Sequence, residues 1–412
     1  MIKKIIVVFS IFIFLVSCSS VANNRLKFAD NYRNKKIKDY QAVKEKLYSE
    51  DFYSDDSEFL KFFDRGLIEH VLGNDSLSNE YLKRALLISD SLKTISVSNE
   101  ALTFLANDNI RPYRAKNYEI IFLHFFSLIN YLTMDDLESA IVEYRMCEEM
   151  LIHDEVDYYR GESIIYLLGS ICYYWEGEID DSAIALTRSL NSIRKANDEI
   201  PDDLSNFAYH IFKMSDRESE IENFNLRPNG DSDYQVKSLE LSYSGIISPL
   251  REAIIRATYV DGAGLAVYGN DEFSRNLDPV ILPEFSDKKS SGSTFHIKLS
   301  MPTTSFSKYS DNKKHFSFLS DQLVYSDLKE RYNGILIKTA SRSLSKAILA
   351  SKAKKNLKNE NPIVNLLINL GFDVMYDASE SADIRMSLWI PQIVDIKFKE
   401  YESAPKVKVN AF

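Results

Sequence analysis

Few residues in this 412-residue chain are of a type and spacing that could carry chemistry. Cys18 closes the series Leu15-Val16-Ser17-Cys18, directly behind an apolar run. A thiolate at that point can attack a lipid donor, and small Ser17 before it leaves room for the cut, so Cys18 is the candidate lipidation site. A second group is a polar block in an otherwise apolar region: Arg111-Pro112-Tyr113-Arg114, Tyr118-Glu119, His124, Asn130-Tyr131-Leu132 and Glu143-Tyr144-Arg145. Arg111, Arg114, Glu119, His124 and Asn130 are read as one cluster that either binds a partner or holds the fold. His124 falls beside the helical stripe Tyr118, Phe122, Phe125 and Phe126, with Glu119, Arg114 or Asn130 as its expected partner. A third group is the basic run Arg342, Lys346, Lys352, Lys354, Lys355 and Lys358. It reads as a solvated helix face or, through Lys352, Lys354 and Lys355, as a contact for an anionic headgroup or acidic glycan.

Other patterns do not add up to a reaction. Gly262-Ala263-Gly264 lacks a third glycine at Val267 and is better explained by a hairpin turn than by dinucleotide binding. Ser290-Ser291-Gly292-Ser293 reads as a loop, and the six histidines have no zinc-ligand spacing. No nucleophile stands with a base, so no catalytic residue, metal or cofactor is assigned. A formal charge of −10 argues against a nucleic-acid partner, which would face a basic surface.

The elements that must position these groups follow from the pattern of apolar residues. Met1-Ile2-Lys3-Lys4 followed by the apolar run Ile5 to Val16 describes an export signal over 1–17, too short to span a bilayer of roughly 30 Å. Its last residues resemble a lipobox, which implies a lipidated N-terminus and tether over 18–24, attached to the membrane through Cys18. With 45% hydrophobic residues, the rest can bury a core. The expected fold is multi-domain: an all-α, tetratricopeptide-like helical repeat array over 25–226, then a smaller mixed α+β domain over 235–412.

Three helix pairs carry the repeat reading. The first has Gly66, the turn Gly73-Asn74-Asp75, then Ser78, Leu82 and Ala85. The second has Leu128, Asp135-Asp136, Ala140, Tyr144 and Cys147. The third has Gly169, Gly177, Ser182 and Leu186. Small residues at the crossings allow helices to approach at roughly 8 to 10 Å. Gly66 to Gly73 is seven residues and Gly169 to Gly177 is eight, which suggests an extra residue or a different turn in the third pair; an irregular bundle is the alternative. Cys147 and Cys172 fall on apolar faces, as buried thiols or as a disulfide. Pro228-Asn229-Gly230-Asp231 marks the boundary. Beyond it a hairpin is expected around Asp261-Gly262, a strand over Phe295 to Met301, helices over Asp321 to Leu357 with a break at Asn333-Gly334 and over Pro362 to Leu370, and closing strands around Ile396 and Val407.

The polar block, together with Ala382-Asp383-Ile384-Arg385 and Trp389-Ile390-Pro391, resembles a family of largely uncharacterised bacterial lipoproteins with tetratricopeptide-like repeats. Members carry a similar Arg-Pro-Tyr-Arg, Tyr-Glu, His and Asn-Tyr-Leu series and an Asp-x-Arg before an aromatic and a Leu-Pro pair. Here Trp389 is displaced and Ile390 replaces the Leu. The resemblance implies a cell-envelope protein with a scaffolding role; Ser19 and Ser20, with no Asp directly after Cys18, favour the periplasmic face of the outer membrane where there are two membranes. Asp383 and Arg385 are expected to pair across a buried turn. The leading expectation is therefore a protein-interaction scaffold with an envelope protein as partner. A module binding an anionic glycan or lipid comes second, and a wall hydrolase third.

Overall fold

The computed structural model describes residues 21–34, 39–93, 111–153, 160–196, 198–227, 235–260, 264–268, 294–302, 316–356, 382–400 and 406–411. Cys18, the Asp261-Gly262 turn, Ser290 to Ser293 and the expected helix Pro362 to Leu370 lie outside them. The described chain is mostly helical, with small sheets after residue 235. Helix α1 covers 21–33, so 21–24, expected in the tether, are helical. Among these residues no helix is long and apolar enough to cross a membrane.

After α2 (Tyr40–Tyr48), three antiparallel helix pairs follow in order. They are α3 (Glu58–Val71) with α4 (Asp75–Lys93), α5 (Asn117–Thr133) with α6 (Leu137–His153), and α7 (Arg160–Glu176) with α8 (Ile179–Lys195). A shorter pair, α9 (Asp202–Met214) and α10 (Glu218–Asn223), ends the series. Each helix packs on the next, including α4 on α5 and α6 on α7.

The pairs turn in one way. Gly73, Asp135, Gly177 and Asp216 take positive φ values of 75°, 60°, 89° and 54°. In each turn the following N–H donates to a carbonyl five residues back: Asn74 to Glu69, Asp136 to Tyr131, Glu178 to Tyr173 and Arg217 to Phe212. This closes the helix C-terminus and satisfies carbonyls the helix leaves unpaired. The crossing contact also repeats. Ser78 Oγ donates to the Gly66 carbonyl and Ser182 Oγ to the Ser170 carbonyl, each at 2.8 Å. The residue equivalent to Gly66 is therefore Ser170, seven before its turn like Gly66 and Leu128, and the third pair carries no extra residue. Gly169 serves the neighbouring pair: a Cβ there would lie 2.1 Å from the Tyr144 ring.

Helix α5 is buried almost all round, from Tyr118 to Leu132. A helix with apolar residues on every side needs neighbours on every side, and α5 has helix pairs flanking it and a sheet above. That sheet has four strands in the order β5-β6-β1-β7: β1 (Ser238–Ser244), β5 (Phe316–Leu319), β6 (Ile393–Lys399) and β7 (Val407–Ala411). Strands β6 and β7 do not pair with each other; they flank β1, antiparallel with Leu241 opposite Ile396 and parallel with Leu241 opposite Val409. Leu239, Leu241 and Tyr243 alternate with more exposed residues along β1, as the two-residue pleat requires. The sheet covers the first helices of the pairs. Tyr243 packs on His70 and Phe126, Phe398 on Phe207, and Trp175 Nε1 donates to the Val236 carbonyl at 2.7 Å. Buried side chains from Leu26 to Val407 consequently form one cluster that has members in both segments.

A second sheet has the order β3-β2-β4: β2 (Leu250–Val260), β3 (Gly264–Tyr268) and β4 (Thr294–Pro302). Strands β2 and β3 are antiparallel, with Val260 opposite Gly264, in the register of the expected hairpin. Helix α11 (Asp321–Asn356) runs without a break through Asn333-Gly334, contrary to expectation. A Cβ at Gly334 would meet nothing, so this glycine only lacks a side chain and does not mark a bend.

Candidate functional site

The block at 111–132 and the segment at 382–391 are far apart in the chain but meet in space. Arg385 donates through Nη1 to the Arg111 carbonyl at 2.9 Å, and Lys116 Nζ donates back to the Arg385 carbonyl at 3.1 Å. Asp383 fixes the Arg385 fork with both carboxylate oxygens, each at 2.9 Å, which is the expected pairing. One residue on, Met386 offers its carbonyl to Arg25 of α1. Two residues on, the Ser387 N–H donates to Glu119 and its hydroxyl to Asp64. Trp389 lies against Phe28 and Tyr32 of α1. Residues 382–390 thus form a strap between α1, α3 and the start of α5.

Two carboxylates are wholly buried under this strap. Asp64 accepts from Arg25, Tyr53 and Ser387, and Glu119 accepts from Tyr113, the Lys116 N–H and Ser387. Burial raises both carboxyl pKa values, against Arg25 at Asp64 and Lys116 at Glu119. Every oxygen is occupied by structural donors, so these groups tie elements together and face no ligand.

The expected polar cluster does not exist as one site. Only Arg111 and Arg114 share a place. Glu119 belongs to the network under the strap. His124 pairs through Nδ1 with Glu143 at 2.6 Å, not with Glu119, Arg114 or Asn130. Asn130 holds His70 and donates to Ser78 Oγ and Asn79 Oδ1. Helical spacing placed these residues on one element but could not say which neighbour each side would meet. Cys147 and Cys172 are free and buried, and burial pushes both thiols up, Cys172 to about 12.

Arg111 and Arg114 line a cleft of about 280 Å³ where four elements converge. The 111–116 loop supplies Arg111, Arg114 and Lys116. Strand β4 supplies Lys298 and Ser300, two residues apart and so on one face. Helix α11 supplies Ile335, Lys338, Thr339 and Arg342, a single stripe at helical spacing, and the strap supplies Asp383 and Arg385. Seven cationic side chains thus face one carboxylate among the described lining residues. Glu252, 3.7 Å from Lys298, offsets part of this. Arg111 Nε is buried without a hydrogen-bond partner. Among the described lining residues cations thus outnumber carboxylates, although the chain as a whole has a net charge of −10. The arrangement can hold an anion.

Of the residues singled out in the sequence, Arg111, Arg114, Arg342, Asp383 and Arg385 are brought together here. Lys352, Lys354 and Lys355 are on the backbone of α11, about 15 to 20 Å along its axis from Arg342. Lys116, Lys298 and Lys338 were missed. The stripe at 335, 338, 339 and 342 was the one signal available for Lys338, whereas the approach of β4 and the 111–116 loop left no trace in spacing. Comparison of the chain with protein-family models, characterised proteins and solved structures found no match.

Proposed function

We propose that this protein is a lipid-anchored envelope module that binds an anionic ligand in the cleft between the 111–116 loop, β4, α11 and the strap. The observation that carries the reading is the convergence of seven cations from four separate elements on one concavity. A solvated basic face would spread its charges along one helix instead. The tether supports the location. Cys18 is three residues from α1, a reach of at most about 11 Å. Arg25 of α1 bonds to Met386, next to Arg385 in the cleft wall. Lipid on Cys18 would hold the cleft near a bilayer surface, and two or more acyl chains would make that attachment firm.

Binding of the full chain in detergent to pyrophosphate, glucuronate and wall fragments tests the reading. At least one should bind, weaken with salt, and be lost in Arg114→Glu/Lys338→Glu; charge reversal at Lys352, Lys354 and Lys355 should have little effect. Both altered cleft side chains are exposed, so the fold should persist. No binding to any of them would overturn the proposal.

A protein-interaction scaffold built on tetratricopeptide-like repeats is the second reading. Its support is the repeated turn and crossing geometry, together with apolar side chains left exposed on the second helices: Leu87 on α4, Val142 and Met146 on α6, and Ile184 on α8. The groove that such arrays usually offer on their inner side is filled by this chain's own sheet, so a partner would have to use the outer face. A photocrosslinker at Val142 or Ile184 should capture one envelope protein in cells; crosslinking to none would count against this reading.

A further inference from the structure

We infer that Arg111 is the side chain of the cleft that takes hold of the ligand, and that the ligand offers it an oxyanion with two oxygens on one centre, a carboxylate or a phosphate. This rests on the reading of the cleft as an anion site and names the residue that makes the contact. The other cations of the lining are already engaged. Both oxygens of Asp383 hold the Arg385 fork, Lys116 Nζ donates to the Arg385 carbonyl, and Lys298 stands 3.7 Å from Glu252. Arg114, Lys338 and Arg342 have partners as well. Arg111 differs: among the described residues its guanidinium enters no hydrogen bond or ion pair, and its Nε is buried without an acceptor. Arg25 and Arg33 also leave Nε unpaired, but they spend their outer nitrogens, on Asp64 and the Met386 carbonyl and on Asp30 and the Ile247 carbonyl. A buried donor without an acceptor has lost its hydration and gained nothing in return, so by itself the arrangement costs the chain stability. An oxyanion in the cleft supplies both the acceptors and the opposite charge, and the planar guanidinium matches two oxygens on one centre.

The base of this side chain is held in advance. The Arg111 carbonyl accepts from Arg385 Nη1 at 2.9 Å, Pro112 fixes the next φ at about −65°, and the Tyr113 N–H donates to the Asp56 carbonyl. Less freedom is then left to lose on binding. These bonds use backbone atoms, which a substitution of the Arg111 side chain keeps, so binding and support of the fold can be told apart at this position.

The test is calorimetric titration of the full chain in neutral detergent with inorganic pyrophosphate and with glucuronate, beside thermal unfolding without either. Arg111→Met should weaken the tighter probe at least about tenfold, since one charge-assisted contact accounts for about that factor. Arg111→Lys, which keeps the charge but loses the fork, should weaken it several-fold. Neither substitution should lower the midpoint of unfolding, because the bonds at this position are backbone bonds and methionine removes the buried donor. Pyrophosphate as the tighter probe would identify a phosphate ligand, and glucuronate a carboxylate; both support the inference. A lower midpoint in Arg111→Met would show that the side chain holds the fold, and native affinity in either variant that other cations hold the ligand. Each of these results would overturn the inference while leaving the anion site standing. Failure of the native chain to bind either probe would remove the anion site as well.

Discussion

Glu119 shows how a residue chosen for its polarity can be structural. Its two oxygens accept from Tyr113 at 2.6 Å, the Lys116 N–H at 3.0 Å and the Ser387 N–H at 2.9 Å. In Glu119→Gln an amide NH₂ must face one of these donors, leaving a buried polar group unpaired. A loss of about 1 to 3 kcal/mol in urea unfolding is expected, and an unchanged midpoint would mean that the network contributes nothing. His70 carries a pH dependence whose sign its partners fix. Asn130 spends its amide hydrogens on Ser78 and Asn79, so its Oδ1 accepts from His70 Nδ1. Nε2 is then the bare nitrogen and accepts from the Tyr243 hydroxyl at 2.8 Å. Protonation would put a second donor against that hydroxyl, and burial lowers the His70 pKa below 6.5. The unfolded chain therefore binds the proton first. The stability held by neutral His70 is complete above about pH 6.5 and declines as pH falls below it toward the lowered folded value. Unfolding measured from pH 8 to 5 should show this decline in the native chain and a shallower one in His70→Gln.

At the scale of the elements, the helix pairs are set by their turns and crossings. Asp135 stands at φ 60° where the equivalent positions in two other pairs are glycine, so it carries a backbone cost they avoid. Asp135→Gly should raise stability by a few tenths to about 1 kcal/mol, and Gly177→Ala, at φ 89°, should lower it by about 1 kcal/mol or more. The crossing residues act between pairs. A methyl at Gly169 would overlap the Tyr144 ring at 2.1 to 2.4 Å, and that ring is buried and packed against Tyr173. Gly169→Ala should therefore cost about 1 to 3 kcal/mol, with part of it recovered by Tyr144→Leu, since Leu82 fills the matching site in the first pair. Additive losses in the double variant would show that the two residues do not meet.

At the scale of the molecule, the core that joins the helix pairs to the four-stranded sheet among the described residues implies one cooperative unit there. The sheet and strap cover His70, Phe126, Glu119 and Asp64, all of which would be exposed if residues after 227 were absent. The full chain should unfold in one transition seen alike by far-ultraviolet dichroism and tryptophan fluorescence. A chain ending at residue 227 should bind a hydrophobic dye and melt without a sharp midpoint; a sharp native-like transition would show that the helical segment has a core of its own. The same packing bears on function, because the sheet fills the inner face of the helical array and the polar cleft forms only where four elements close together.

By itself the sequence determined the helix pairs, their turns at Gly73, Asp135 and Gly177, and the strands around Phe295, Ile396 and Val407. Each is a local matter of apolar period, chain reversal or alternation within a dozen residues. It also singled out Arg111 and Arg114 by type, and Asp383 and Arg385 through the resemblance. Tertiary structure alone decided that 111–116 and 382–385 share a wall, that β7 lies parallel to β1, and that Glu119, His124 and Asn130 face three different neighbours. Those outcomes depend on contacts across up to 274 residues of chain, where side-chain period carries no information and only the packing of whole elements fixes which charges meet.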